Sequence, residues 1–427
     1  MKNILLTKIK KKKIIVGVIG LGYVGLELAL TVVRKKFKTY LFDINKEKVR
    51  NLKKNISPLK TIKKKDISTL NKNNIFDLEN LSKIKECDVI IVCLPTPLKN
   101  NLNPDMSYLI ECLQQIKKFL RKNQLIILES TVYPGATNEI FVKKLKKSFK
   151  IGINFFISFS PERISPGSTH TISLHKIPKV VSGSTKNCLE ISSLFYGIVF
   201  DTIYKSSSLE EAELIKLYEN CFRSVNIGLV NNLKMMCSKM NLNVFKVIEG
   251  ASTKPYGFSA FLPGPGIGGH CIPIDPLFLS YIGKKINFDT KFVNLSHKVN
   301  REVTYWTASQ IIKNVKKRSN LLLIGMAYKK DIDDVRESAS VKIFNLLKAK
   351  KYKLSFFDPF VSKISIKNKS YYSEKRLSPK LLAKFDCIII TTDHSKVNYK
   401  LILKYSKKII DTRGVYRNSK NPKVILS

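Results

Sequence analysis

Cys271 lies in Gly264-Pro265-Gly266-Ile267-Gly268-Gly269-His270-Cys271-Ile272-Pro273-Ile274-Asp275-Pro276, whose four glycines and three prolines exclude regular structure. A loop shaped this tightly around one thiol suggests a nucleophile: its thiolate can add to an aldehyde, and loss of hydride then leaves a thioester. Asp275, four residues on, is placed to organise or activate water, and Lys216 can stabilise an alkoxide. The alternatives are a buried structural cysteine and two solvated charges. His270 reads better as a satisfied hydrogen-bonding residue than as a catalyst.

Chemistry of this kind needs a hydride acceptor. Gly20-Leu21-Gly22-Tyr23-Val24-Gly25 follows an apolar strand and opens an apolar helix, as a turn that admits a pyrophosphate to a helix N-terminus must. Asp43 ends the next strand, where a carboxylate hydrogen-bonds the adenosine ribose and favours NAD over NADP. Without a dinucleotide, the same glycines would be a tight strand–helix turn and nothing more.

The elements that must position these groups follow a regular grammar. The apolar runs Ile14–Ile19, Thr39–Asp43, Val89–Leu94, Leu125–Glu129, Phe155–Phe159 and Lys179–Val181 alternate with amphipathic, Lys-rich segments, which predicts strands and crossover helices of a parallel sheet. From Leu209, capped by Ser208, helical spacing continues through Met240. Strand grammar returns with Leu321–Ile324, Lys353–Phe357, Cys387–Thr391 and Lys408–Ile410, and Asp358 follows the second of these as Asp43 follows its counterpart. The expected architecture is α/β: two Rossmann-like, doubly wound domains joined by a long central helix in a helical middle domain. The boundaries expected are 1–205 for an NAD-binding domain, 206–310 for a central helical domain with the Cys271 loop, and 311–427 for a second α/β domain. The second α/β half lacks a Gly-rich fingerprint.

Composition narrows the class. At 427 residues the chain exceeds one ordinary core, and it contains no uninterrupted apolar run of the roughly 18 residues a membrane helix requires. The basic residues Lys8 to Lys13 before Ile14–Leu21 resemble a secretory leader, but no small-residue cleavage site follows, and the run reads better as the nucleotide-binding strand. Eight cysteines without a CxxC pair fit a reducing cytoplasm and no metal site. The net charge of +44 would suit nucleic acid, yet the lysines are scattered along the chain and no nucleic-acid motif accompanies them, so no specific nucleic acid and no membrane is expected as partner.

The cysteine loop, the stretch Gly325-Met326-Ala327-Tyr328-Lys329-Lys330-Asp331-Ile332-Asp333-Asp334-Val335-Arg336-Glu337-Ser338 and the segment from Glu213 to Asn220 together resemble the UDP-sugar 6-dehydrogenase family. The resemblance runs from about Ile14 to near Val424. Three further stretches resemble its UDP-N-acetylhexosamine branch, nearest the UDP-N-acetylglucosamine enzymes of bacterial surface-polysaccharide pathways: Ser160-Pro161-Glu162-Arg163 with Pro166-Gly167, Ser252-Thr253-Lys254-Pro255-Tyr256-Gly257-Phe258, and His270 before the cysteine. UDP-glucose enzymes usually carry a second glutamate where this chain has Pro166.

The resemblance implies that Cys271 is the thioester nucleophile, Lys216 and Asn220 the oxyanion-side groups and Asp275 the water-positioning carboxylate, with Glu162 near the hydrolytic water. It assigns Gly20, Gly22, Tyr23, Val24, Gly25, Asp43, Thr96, Thr131, Lys329 and Arg336 to the NAD side. Sugar-nucleotide contacts are expected from Glu162, Arg163, Lys216, Asn220, Lys254, Tyr256 and Gly268. The implied reaction is a four-electron oxidation at C6 of the sugar with two NAD in succession, by a homodimer. The resemblance also implies that the middle part, 206–310, dimerises and the last, 311–427, binds the UDP-sugar. UDP-N-acetylglucosamine leads as substrate, with UDP-N-acetylmannosamine, UDP-N-acetylgalactosamine and UDP-glucose as alternatives.

Overall fold

A computed structural model of the chain describes residues 1–59, 62, 64–73, 81–163 and 173–427. The chain folds as two compact units: Met1–Glu219 with Leu277–Phe288, and Asn220–Pro276 with Asp289–Ser427. Pro166 and Gly167 lie outside the described residues.

In the first unit, β1 (Ile15–Ile19), β2 (Lys38–Phe42), β3 (Val89–Val92), β4 (Leu125–Leu128) and β5 (Phe156–Phe159) form a parallel sheet in the order β2-β1-β3-β4-β5. Its central strands are apolar at every position, because helices cover both faces and no residue can point to water. β6 (Lys179–Val181) pairs in parallel with β7 (Ile203–Lys205), and the amide of Ser182, just past β6, donates to the Phe159 carbonyl of β5. The leader-like start is a helix, Lys2–Lys10. Its buried Leu5 and Ile9 join the core of this unit, and Lys2 pairs with Glu190 on the helix Lys186–Val199.

The helix Leu209–Lys239 begins where its cap was expected: Ser208 Oγ accepts the Glu211 amide at 3.1 Å. Its 31 residues carry the chain from the first unit into the second.

In the second unit, β8 (Asn320–Ile324) and β9 (Lys353–Phe357) are followed by an antiparallel hairpin, β10 (Lys363–Ile366) and β11 (Lys369–Tyr372). β12 (Cys387–Ile390), β13 (Ile409–Asp411) and β14 (Val424–Leu426) complete a parallel sheet ordered β14-β13-β12-β8-β9. Counted from its own first strand, this is the 2-1-3-4-5 order of the first sheet, so the fold is duplicated.

The duplication reaches single hydrogen bonds. Gly20, at φ 91°, donates its amide to Phe42 O at 2.7 Å, and Gly325, at φ 87°, donates to Phe357 O at 2.9 Å. Asp43 accepts the Leu21 amide after the first of these turns; Asp358 accepts the Met326 and Ala327 amides after the second. The copies diverge in what else that carboxylate does. Asp358 also takes the amides of Phe360 and Val361 and the Nε2 side of the buried His394 ring, so it is absorbed by its own chain and cannot serve a ribose.

Candidate active site

The first unit supplies a dinucleotide cradle. Gly22 caps the helix Tyr23–Arg34 without a side chain, and a Cβ there would meet nothing within 4 Å, which leaves room for a phosphate at the helix start. Gly25 faces the opposite constraint: its Cβ would stand 1.9 Å from the Gly20 carbonyl, so only glycine lets helix and turn approach. Tyr23 and Val24 form the first turn of that helix. At the neighbouring strand ends, Thr96 Oγ1 donates to Thr131 O at 2.7 Å. These residues fit NAD.

Asp43 is more engaged than a bare ribose acceptor. One oxygen accepts the Asn45 amide, the other the Leu21 amide and the Lys48 ammonium at 2.7 Å. The lysine offsets part of the repulsion by which a carboxylate rejects a 2′-phosphate, so discrimination against NADP at Asp43 is weaker than the carboxylate alone implies.

Glu162 is held beside a second, unanticipated carboxylate. It is 6% exposed, and Lys179 Nζ reaches it at 3.3 Å while contacting Glu129 at 2.6 Å and the Pro161 carbonyl at 3.2 Å. Burial pushes the Glu129 carboxyl up to about 7; Lys179 opposes this and Glu162 reinforces it. Arg163, next along, donates to Pro178 O and pairs with Glu219 at 2.5 Å.

On the long helix, buried Glu213 accepts the amides of Gly135 at 2.6 Å and Thr137 at 2.9 Å, which ties the helix to the segment following Thr131. Lys216 lies one turn later, and Asn220 four residues beyond it faces the same side. Both are buried.

The second unit contains the thiol loop. Of the eight cysteines Cys271 alone is exposed. Its carbonyl accepts the Asp275 amide at 2.8 Å, so Asp275 closes one helical turn over the cysteine as the helix Asp275–Lys285 starts. Buried Asp275 accepts from Asn220 Nδ2 at 2.5 Å. The structure thus brings together Cys271, Asp275 and Asn220, three of the residues singled out from sequence.

The rest of the loop is fixed by contacts that sequence reading missed. Gly264 donates its amide to Asn231 Oδ1 at 3.0 Å, and its carbonyl accepts from Lys234 Nζ at 3.2 Å. Lys234 is buried over the Trp306 ring, and burial, then Arg413, pull its ammonium down to about 7 against the influence of Asp411. Gly268 and Gly269 pack against Tyr328; at φ 86° a Cβ on Gly269 would lie 2.6 Å from that ring. The Gly269 amide donates to Arg336 O.

Arg336 grips Asp334 through both carboxylate oxygens, at 2.6 Å from Nη2. Burial and the Arg336 charge push the His270 imidazole down, with Asp334 and Glu337 opposing, so His270 is neutral near pH 7 and cannot supply the cation that stabilises a thiolate. Burial, with Arg223 nearby, also lowers the Lys329 ammonium. Lys254 and Tyr256 are exposed and form a cation–π pair at 5.0 Å.

Known proteins match the chain along most of its length. The UDP-glucose/GDP-mannose dehydrogenase family matches in three consecutive parts: its NAD binding domain over residues 14–200, its central domain over 210–302 and its UDP binding domain over 322–418. The chain is 35% identical over 362 residues to a UDP-N-acetyl-D-glucosamine 6-dehydrogenase of Pseudomonas aeruginosa, covering 82% of this chain and 84% of that one. It is 33% identical over 364 residues to a UDP-N-acetyl-D-mannosamine dehydrogenase of Methanocaldococcus jannaschii, covering 83% and 82%. The solved UDP-D-ManNAc dehydrogenase of Pyrococcus horikoshii superposes with a TM-score of 0.82 at 26% identity, over 96% of this chain and 97% of that one. With the dinucleotide cradle, the thiol loop and the duplicated α/β fold in this order, the chain belongs to the UDP-glucose/GDP-mannose dehydrogenase family and is an NAD-dependent nucleotide-sugar dehydrogenase.

Proposed function

We propose that the protein oxidises C6 of a UDP-N-acetylhexosamine, UDP-N-acetylglucosamine first among them, to the carboxylate through a thioester on Cys271. The observation that carries this reading is the single exposed thiol, set one helical turn from the buried Asn220–Asp275 pair. NAD, when bound, supplies the hydride acceptor for each of the two oxidations.

The residues then divide the work. Lys216 and Asn220 donate hydrogen bonds to the C6 oxygen, which is alkoxide-like as hydride leaves. The Cys271 thiolate adds to the C6 aldehyde, and the resulting thiohemiacetal loses a second hydride to become a thioester. Water, deprotonated with help from Asp275 or Glu162, attacks the acyl carbon; the C–S bond breaks and the carboxylate leaves, returning the thiolate. Residues 1–205 serve the cofactor, 206–310 carry the thiol and 311–427 hold the nucleotide. Lys329 and Arg336 act near the cofactor and nucleotide, and Arg163, Lys254, Tyr256 and Gly268 on the sugar nucleotide. We place the enzyme in the cytoplasm, supplying an acidic sugar nucleotide for surface polysaccharide.

The test is stoichiometry. Purified enzyme should yield two NADH per UDP-N-acetylglucosamine and prefer it to UDP-N-acetylmannosamine and UDP-glucose in competition. Preference for another of these sugars keeps the mechanism and overturns the substrate; two NADH from none of them overturns both.

The active form is a homodimer built on the long helix. Phe222, Leu229 and Met236 recur every seven residues, each at least 50% exposed in the single chain, and so make one apolar stripe. Leu229→Glu is expected to convert a dimer to a monomer in sedimentation, with the circular dichroism of the fold retained. A dimer unaffected by the charge places the interface elsewhere.

A further inference from the structure

We propose that Lys179, together with Glu129, is a positioning residue for Glu162, holding that carboxylate in place for the release of the acid from the enzyme. The inference rests on the reading that Glu162 helps to activate the hydrolytic water.

Four observations support it. The Ser160–Arg163 segment is gripped at three points by β6 and the residue before it: Ser160 Oγ donates to Val180 O at 2.6 Å, Lys179 Nζ to Pro161 O, and Arg163 to Pro178 O. The ammonium is enclosed, with the Tyr196 and Phe200 rings 5.4 and 5.3 Å away and an exposure of 2% for the residue. Its contact with Glu162, at 3.3 Å, is longer than its contact with Glu129, at 2.6 Å, and Tyr196 donates a further hydrogen bond to Glu129. Finally, one ammonium faces two buried carboxylates, so both cannot remain ionised without uncompensated buried charge.

The competition between the two carboxylates is the functional point. Lys179 is held protonated by the two carboxylates in spite of its burial, and they compete for the one ammonium, Glu129 with the shorter contact. Glu162 is oriented from both sides, by Lys179 Nζ on one oxygen and the Arg163 amide on the other. The other titratable groups that face it are Cys93, neutral because burial pushes its thiol far up, Tyr196, likewise pushed up, Glu27 on the helix Tyr23–Arg34, and its neighbour Arg163.

The experiment uses the full chain with NAD and the UDP-sugar that the wild type oxidises best. Rapid-quench intact-mass measurement follows the covalent adduct on Cys271, and the pH profile of acid release is recorded for Glu162→Gln, Lys179→Met, Lys179→Arg and Glu129→Gln. Glu162→Gln should stall with the adduct. Lys179→Met should stall likewise, with kcat lowered about 10²-fold and KM changed less than about 3-fold, and its acid limb should move to higher pH because the cation is gone. Lys179→Arg should restore most of the turnover. Glu129→Gln removes the competitor and should move the acid limb the opposite way, to lower pH.

A structural role alone would not produce these opposed displacements. Adduct in Glu162→Gln but none in folded Lys179→Met, with an unmoved profile in Glu129→Gln, overturns the proposal and leaves the role of Glu162 intact. No adduct in Glu162→Gln overturns the role of Glu162 and the proposal with it. Should Lys179→Met fail to fold, the direction of the Glu129→Gln displacement decides.

Discussion

Cys271→Ser is expected to abolish formation of the uronic acid, with kcat for the four-electron reaction lowered by roughly 10³-fold or more, about 4 kcal/mol of barrier. The loss is confined to the second oxidation. A serine hydroxyl is nearly isosteric, so the exposed loop position and the Asp275 amide bond to residue 271 are undisturbed. A hydroxyl is, however, far less ionised than a thiol, and an oxygen ester would be a slower acyl donor to water. Removal of the first hydride needs the alkoxide to be stabilised, which is the task proposed for Lys216 and Asn220, and that step involves no thiol. The variant should give at most one NADH per bound sugar, an aldehyde that hydroxylamine or borohydride traps, and no adduct in intact-mass spectra. Two NADH per sugar from the serine variant would eliminate the thioester.

The same loop shows what was legible in the sequence and what was not. Cys271, Asp275 and Asn220 could be singled out because glycines and prolines leave the loop no regular structure and because ordered motifs repeat a family pattern. The loop's anchors carry no such mark. Asn231 and Lys234 sit inside a 31-residue helix whose polar residues look like any solvated face, and only the packing of Trp306 and Gly264 shows that this lysine is buried. Lys179 is hidden differently. It opens a three-residue strand in a chain with 76 lysines and arginines, where one more lysine carries almost no information.

Strand prediction failed where burial is partial. β14 is three residues of intermediate exposure at the sheet edge, and the β10–β11 hairpin alternates with lysines. The first ten residues precede the strand grammar that starts at Ile14 and carry no long apolar run, yet Leu5 and Ile9, four apart, have the spacing of a helix with one buried face. The central strands β3 and β4, buried at every position, were the easiest to read.

Asp43 and Asp358 were matched from sequence by their place after the second strand of each half, and their different fates explain why only one half has a dinucleotide cradle. The consequence for stability is large. Asp358→Ala strips the acceptor from four amides, those of Met326, Ala327, Phe360 and Val361, and from the buried His394 ring. Leaving such groups unpaired costs about 1–3 kcal/mol each before relaxation and water entry. Relaxation and water entry reduce that sum, and a net loss of about 3–5 kcal/mol is expected.

The pH dependence has a definite sign. Burial alone would raise the Asp358 carboxyl, but the hydrogen bond and charge of His394 and the amides of Phe360 and Met326 together hold it below its ordinary value. A carboxylate depressed in the folded state stabilises above its unfolded pKa, roughly 4, and that stabilisation is lost only as pH falls through the lower folded value. The difference in stability between wild type and Asp358→Ala should therefore be flat from about pH 5 to 8 and shrink below about pH 4. Because the chain has two units, hydrogen exchange at the Met326, Ala327, Phe360 and Val361 amides is a sharper measure than a single melting temperature. Protection at those four amides should fall by a factor of at least about 10², the equivalent of about 3 kcal/mol, while the amides of β3 and β4 in the other unit keep theirs. Unchanged protection at the four amides would mean that water or a neighbouring carbonyl replaces the carboxylate, and that the depressed Asp358 does not hold this turn.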